Sequence, residues 1–445
     1  MAAKVTPKKA KAVRANNKKI IKKPANRMNA FYAMGGGVTP VINSTALGVI
    51  ETARKHGIKV YAGRHGIQGL LLEELYDTSK ETPKTLQALR LRPGAAFGSC
   101  RYKLTDVEKD LKDYERIIEV CRAHNIGYIF YNGGNDSADT THKLAAFSRQ
   151  VGYPLVCIGI PKTMDNDLPV TDNCPGYGSV AKFLATAALE TGIDAKSMSP
   201  ATEIYIMETM GRHAGWLPAA SALARQKPGD PPHLVLCPEI VFDEEKFLAK
   251  VSESVRKYGY CHIVTSESLK DKDGHFIADT GQRDAFGHIQ KGCIAPILAN
   301  KIRDRFNYSF HVSVVDYIQH SSRHLGCTVD LKQAYAVGKA AVEMAVAGKN
   351  DLSPIIVRKP GKKYQWTLGE TSLENIANTE KNMPRKYITK DGMDVTKDCI
   401  DYIRPLIQGE DIPPFKNGLP CYPELKLILT PKKTKKSYQL SDDRG

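Results

Sequence analysis

The sequence predicts an α/β protein, with two Rossmann-like domains built on mostly parallel sheets and an irregular C-terminal extension. Three observations predict it. Short apolar runs alternate with segments of helical spacing from residue 28 onward. Glycine clusters mark the joins between them. The chain has 445 residues, more than one ordinary core accommodates.

The elements follow in order. Residues 28–34 (MNAFYAM) read as a strand, Gly35-Gly36-Gly37 as a turn, and 41–56 as a helix. The pattern recurs with 126–131 (IGYIFY) as a buried strand, Asn132-Gly133-Gly134 as a turn and 137–150 as a helix that Ser137 caps. Residues 155–160 (LVCIGI) form the next strand. A strand at 204–208 leads into the glycine-punctuated MGRHAGWL and a helix over 219–225. Strands at 234–237 and 263–265 flank a helix over Glu244–Tyr258. Past Asp351, turns and Lys/Pro clusters predict an extension wrapped around the body. Ligand sites in such sheets lie at the carboxyl ends of the strands.

Composition narrows the class. A chain 42% hydrophobic and 25% charged suits a globular protein, and no apolar run reaches the ~18 residues of a membrane span. The formal net charge is +16, but it is concentrated at the ends. Residues 1–27 carry ten Lys or Arg and no acid, residues 426–445 contribute +4, and the body between holds only +2. The two ends read as solvated, disordered basic tails, and no nucleic-acid partner is expected. Ten cysteines occur singly, with no CxxC pair, so neither a metal cluster nor a disulfide framework is expected and the protein reads as cytoplasmic.

Five constellations fall at predicted strand ends. Gly35–Gly37 lets backbone N–H groups approach an anion, although a tight turn alone would also explain it. In Gly134-Asn135-Asp136-Ser137 the acid suits a helix start, again an ordinary turn by itself. In Lys162-Thr163-Met164-Asp165-Asn166-Asp167, an extended backbone would put Asp165 and Asp167 on one face, where two like charges call for a cation such as Mg²⁺. Met210-Gly211-Arg212-His213 and Gly287-His288-Ile289-Gln290-Lys291 each set cations beside glycine, and Arg101 adds another. Anion cradles, a metal site and a carboxylate to accept a hydroxyl proton are what phosphoryl transfer needs.

Over residues 28–348 the chain resembles the phosphofructokinase family, on GGGVTPVIN, FGSCRY, GGNDS, PKTMDND, METMGRHAG, TSE and GHIQK, in the family's order. The resemblance implies that Asp165 is the base for the 1-hydroxyl of fructose 6-phosphate. It implies sugar-phosphate contacts at Thr163, Met164, Asp165, Met210, Gly211, Arg212, Glu267, His288 and Lys291. Donor contacts fall at Gly36, Gly134, Asp136, Ser137 and Lys162, with Arg101 at the transition state and Asn135 and Asp167 at magnesium. ATP-using members carry glycine where this chain has Asp136 and Lys162, whereas pyrophosphate-using members look like this chain. The physics agrees, because a carboxylate at Asp136 repels the α-phosphate of a nucleotide and pyrophosphate has no such group.

The resemblance also implies domain limits: a donor-binding domain over 28–175 completed by about 288–340, and a sugar-phosphate domain over 176–287 completed by part of 341–425. It implies a homodimer or homotetramer. Three positions depart from the family pattern, namely Asn135 for Asp, Glu203 for an arginine reaching across a subunit interface, and Lys291 for Arg. The rival readings are an ATP-dependent kinase of the same family and a non-catalytic regulatory sugar-phosphate-binding subunit. Sedoheptulose 7-phosphate is a further conceivable acceptor.

Overall fold

The computed structural model describes residues 28–283 and 289–440. The expected basic tail 1–27 and the glycine and histidine of GHIQK lie outside the described residues. Among those described, no helix is long and apolar enough to cross a membrane.

The chain builds β1 (Asn29–Met34), β2 (Val60–Gly63), β3 (Leu75–Asp77), β4 (Ile126–Gly133) and β5 (Val156–Pro161). After a crossing segment come β6 (Ile204–Thr209), β7 (Leu234–Leu236) and β8 (Cys261–Ser266). The ribbon β9 (Asp279–Arg283) and β10 (Ile289–Lys291) precedes β11 (Phe310–Val314), β12 (Leu352–Arg358) and β13 (Trp366–Ser372). One seven-stranded sheet runs β13-β12-β5-β4-β1-β2-β3 and a second, four-stranded sheet runs β11-β6-β8-β7. The second is parallel throughout, while the first is parallel except at its two margins, β3 and β13. Two mostly parallel sheets are thus what the alternating pattern predicted.

Strand side chains alternate between faces. In β1, Ala30, Tyr32 and Met34 enter one core while Phe31 and Ala33 enter the core on the other side of the sheet. Both faces are therefore covered, as a parallel sheet requires. The helices Ile42–Lys55 and Thr328–Val346 pack so closely that a Cβ on Gly48 would stand 2.3 Å from the Tyr335 carbonyl, and one on Gly338 2.3 Å from that of Thr45. Only glycine allows that approach.

Four expectations need correction. Of residues 288–340, expected to complete the donor-binding domain, β11 pairs with β6 in the second sheet, whereas the helix from Thr328 packs on Ile42–Lys55 of the first domain. The region past Asp351 is not irregular at its start. Strands β12 and β13 form a hairpin that extends the first sheet, and the Lys/Pro/Gly cluster at 359–363 belongs to its loop. The predicted helix at 219–225 starts earlier, as Trp216–Ala220 followed by a tighter turn over Ser221–Ala224. Residues 426–440 are not a free tail. They run along β3, with Asp77 N donating to the Ile428 carbonyl at 2.9 Å and Thr430 N to that of Leu75 at 2.8 Å. The unpaired backbone of an edge strand is the physical reason they dock there.

Candidate active site

Six parallel strand ends converge on one cleft of about 470 Å³. Behind β1 stands Gly36, behind β4 Gly134 to Ser137, and behind β5 Lys162 to Asp167. The second sheet contributes Met210, Gly211 and Arg212 after β6, Glu267 after β8 and His320 beyond β11. Arg101 lines the same cleft. Of the residues singled out from sequence, two are not placed. His288 lies outside the described residues, and Lys291 is described only as the end of β10.

The crossing segment between the sheets carries the acids. It is not extended as expected. Asn166 takes a left-handed φ of 57°, and the turn is held by its side chain, whose Oδ1 accepts from Cys174 N at 2.9 Å. Asn tolerates that conformation better than a branched residue would. Asp165 and Asp167 reach the same cleft through this turn instead of by strand alternation. The far end is clamped by Asp330 of the Thr328–Val346 helix, whose two oxygens accept from Gly176 N and Ser179 N, each at 2.8 Å.

Asp165 and Asp167 are 8% and 4% exposed, and the Oδ1 of each has no hydrogen-bond partner. Burial, then the neighbouring Asp167 carboxylate, pushes the Asp165 carboxyl up to about 7. Arg212, whose Nε lies 3.8 Å from Asp165 Oδ2, opposes that shift. Asp167 is also raised, mainly by burial. Lys162 is 4% exposed and donates to the Gly37 carbonyl. Burial lowers its ammonium to about 8, with Asp165 pulling the other way. A poised acid and a poised base therefore stand side by side at near-neutral pH.

Arg212 itself sits at φ 49°, after Gly211 at φ 144°. Its backbone N–H is gripped by Glu267 Oε1 at 3.1 Å, and that of Met210 by Gln319 Oε1 at 3.0 Å. Strain of this kind costs on the order of 1 kcal/mol and persists where surroundings impose it. On the first sheet, Gly36 adopts φ 75° and its N–H donates to the Cys100 carbonyl at 2.9 Å. Ser137 does not cap the helix. The helix begins at Asn135, Gly134 occupies the cap, and the Ser137 hydroxyl bonds Tyr131 within the first turn. Asp136 faces the cleft and pairs with Lys103 at 3.2 Å.

Several cleft residues escaped the sequence reading. Lys103 stands two positions beyond Arg101, one residue past the FGSCRY motif. His320 follows Gln319 in DYIQH, one of four Ile-Gln pairs in the chain, so the pair by itself gave little signal. Burial, then Lys162 and Arg101, lowers the His320 imidazole to about 4, so it is neutral at pH 7. Asn378 and Glu380 come from the segment after β13. That segment roofs the cleft: the Thr379 carbonyl accepts from Asn135 Nδ2, Lys381 N donates to the Asp167 carbonyl at 2.6 Å, and Glu380 meets His213 at 3.0 Å. Glu203, the departure noted earlier, precedes β6 and bonds Ser309 N at 2.9 Å. It lies at the opposite end of that strand from the cleft, about 20 Å away at ~3.3 Å per residue.

The phosphofructokinase profile matches residues 29–345 of this chain. The chain belongs to the phosphofructokinase family. It is 54% identical over 396 residues to a pyrophosphate–fructose 6-phosphate 1-phosphotransferase from Halomonas elongata, covering 88% of this chain and 94% of that protein. A protein of the same name from Methylococcus capsulatus is 50% identical, over 93% of this chain and 99% of its own. Among solved structures, a pyrophosphate-dependent phosphofructokinase from Marinobacter aquaeolei superposes with a TM-score of 0.85 at 52% identity, covering 93% of this chain and all of that one. The chain thus shares its fold with that enzyme over nearly its whole length.

Proposed function

We infer that this protein moves a phosphoryl group reversibly between pyrophosphate and the 1-hydroxyl of fructose 6-phosphate, giving fructose 1,6-bisphosphate and phosphate. The observation that carries the reading is the presence of Asp136 and buried Lys162 in the cleft that also holds Asp165. Those two side chains are where a nucleotide donor would need empty space.

In the forward direction Asp165 accepts the proton of the 1-hydroxyl, the freed oxygen bonds the terminal phosphorus, and the bridging P–O bond breaks to release phosphate. A base titrating near 7 suits that task. Lys162 supplies a fixed positive charge beside the transferred group, and such preorganised charge is worth roughly 3 kcal/mol in a transition state. Arg212, Met210 and Glu267, positioned by the second sheet, fit the sugar phosphate. Arg101 fits the charge that spreads over the transferring phosphoryl oxygens.

A magnesium ion fits the donor set. The Oδ1 atoms of Asp165 and Asp167 are buried without a hydrogen-bond partner, and both residues line the cleft. Among the described residues no cluster of three or more metal-ligating side chains occurs. That suits an ion that takes one or two carboxylates and fills its shell with phosphate and water. When bound it neutralises the charge of the donor phosphates. Asp167 supports that role better than Asn135, whose neutral amide oxygen brings no charge to a cation.

The test is to supply fructose 6-phosphate and Mg²⁺ with pyrophosphate or with ATP. Fructose 1,6-bisphosphate formed with pyrophosphate is expected, and formation with ATP alone would reject the donor reading. No turnover with either donor would favour the regulatory subunit. Ten unpaired thiols support a cytoplasmic setting. A homodimer or homotetramer is supported by Tyr317 and Ile318, 66% and 58% exposed beside the cleft, and light scattering in solution tests it.

A further inference from the structure

We propose that Lys103 is a donor-binding residue, kept poised by Asp136 and transferred to the distal phosphate of an inorganic diphosphate when the donor enters. The proposal rests on the donor reading above.

The segment around Lys103 is built into the donor side of the cleft. Gly35 and Cys100 form a parallel bridge, and the Ser99 hydroxyl donates to the Gly36 carbonyl at 2.7 Å. The chain then runs on with neither helix nor strand through residue 106. Tyr102 points inward, 3% exposed, with its hydroxyl on Asp113 Oδ2 at 2.8 Å. Arg101 and Lys103 on either side of it are more exposed, and all three residues line the cleft. The anchored tyrosine fixes the root of a long, flexible side chain at the cleft wall.

The tip of that side chain lies 3.2 Å from Asp136 Oδ1, and the two side chains are 43% and 41% exposed. A pair this open holds with only about 0–1 kcal/mol. Exchanging it for a ligand phosphate costs little. Lys162, by contrast, is buried, bound to the Gly37 carbonyl and set beside Asp165. It serves the phosphoryl group being transferred, and the other phosphate of the donor needs a separate cation. Lys103 is within reach and weakly committed. Asp136 then has two effects: its charge opposes a longer nucleotide chain, and it holds the lysine at the position that the second phosphate will occupy.

Four variants test this: Lys103→Met, Lys103→Arg, Asp136→Asn and the double Lys103→Met/Asp136→Asn. The readouts are kcat and KM for pyrophosphate, KM for phosphate in reverse, KM for fructose 6-phosphate, and calorimetric binding of inorganic phosphate. Lys103→Met is expected to raise the KM for pyrophosphate about tenfold, the order of one charge-assisted contact, with kcat and the sugar-phosphate KM within about twofold. Lys103→Arg restores most of the affinity. The decisive variant is the double. If Lys103 only neutralises Asp136, the double variant has the same KM for pyrophosphate as Asp136→Asn, and the proposal is overturned. If Lys103 contacts the donor, the double variant stays impaired relative to Asp136→Asn. An unchanged KM in Lys103→Met, or a change confined to fructose 6-phosphate, also overturns it. The donor reading fails separately, if the wild-type enzyme does not turn over pyrophosphate, and in that case phosphate binding by the wild type and Lys103→Met still decides the role of Lys103.

Discussion

Arg212 Nε stands 3.8 Å from Asp165 Oδ2, and the two residues follow strands of different sheets. The contact spans the cleft and ties the end of β6 to the segment after β5. It also sets the chemistry of the acid. Burial and Asp167 favour the protonated carboxyl, while the guanidinium favours the charged one. Asp165 is thus balanced near neutrality by groups that the fold brings together from far apart in sequence.

Replacing Asp165 by Asn is expected to cut turnover by at least ~10² while leaving the fold intact. Stability should respond in the opposite sense. The folded-state pKa is raised to about 7, so the group's contribution to stability is present below its unfolded pKa and is lost as pH climbs through 7. At pH 8 the buried charge is a cost, and Asn removes it. Urea unfolding at pH 8 should show the variant more stable by roughly 0.5–2 kcal/mol. Near-normal turnover would reject the assigned base.

The pH profile of kcat/KM should be bell-shaped. Activity rises as Asp165 loses its proton near 7 and falls as Lys162 loses its own near 8. Two variants assign the limbs. Lys162→Arg, which stays charged, should extend activity into the alkaline range. Arg212→Gln removes a charge that lowers the Asp165 pKa, so the acid limb should move up. If both limbs stay in place, the profile belongs to other groups.

Donor choice should follow Asp136 and Lys162. Asp136→Gly removes a carboxylate from the first turn of the Asn135–Gln150 helix, and Lys162→Gly clears the cation beside Gly37. The double variant should raise the ratio of kcat/KM for ATP over pyrophosphate at least ~10-fold, the effect of about 1.4 kcal/mol. Steady-state assays with each donor measure it. An unchanged ratio removes the mechanism proposed for donor exclusion.

The legible parts of this protein were those with local punctuation. Glycines after apolar runs located the ends of β1, β4 and β6, and the Asp243-capped helix Glu244–Tyr258 was read to the residue because it alternates apolar and charged faces. The helix Tyr177–Ser197 gave no such pattern. It buries Val180, Ala181, Leu184, Ala185 and Ala188 among small neighbours, so its composition is nearly uniform around the axis. The site was legible where residues carry charge after a strand, as at Lys162 and Asp165. Asn378 and Glu380 were hidden because tertiary folding, not spacing, brings the segment after β13 over the cleft. His320 was overlooked because its Ile-Gln pair by itself gave little signal.

The final prediction concerns the C-terminal strap. Glu73 is 1% exposed and accepts from Lys433 N, from Thr434 N at 3.2 Å and from the Thr434 hydroxyl, as well as bonding His124 Nε2 at 2.7 Å. Its carboxyl is held below the usual range even though burial alone would raise it, because those donors outweigh burial. A depressed pKa means that this stabilisation is present above the unfolded value and is lost as pH falls through the folded one. Thr434→Ala removes one donor from a buried charge and should cost about 1–3 kcal/mol. Deleting 426–445 removes all of the strap's donors and bares the β3 edge, so a larger loss and aggregation are expected. Denaturation midpoints at pH 7 and at about pH 3, below the ordinary glutamate range, measure both effects, and the Thr434→Ala deficit should shrink as acid protonates Glu73. A truncated chain with an unaltered midpoint would mean that the strap lies on the surface without supporting it.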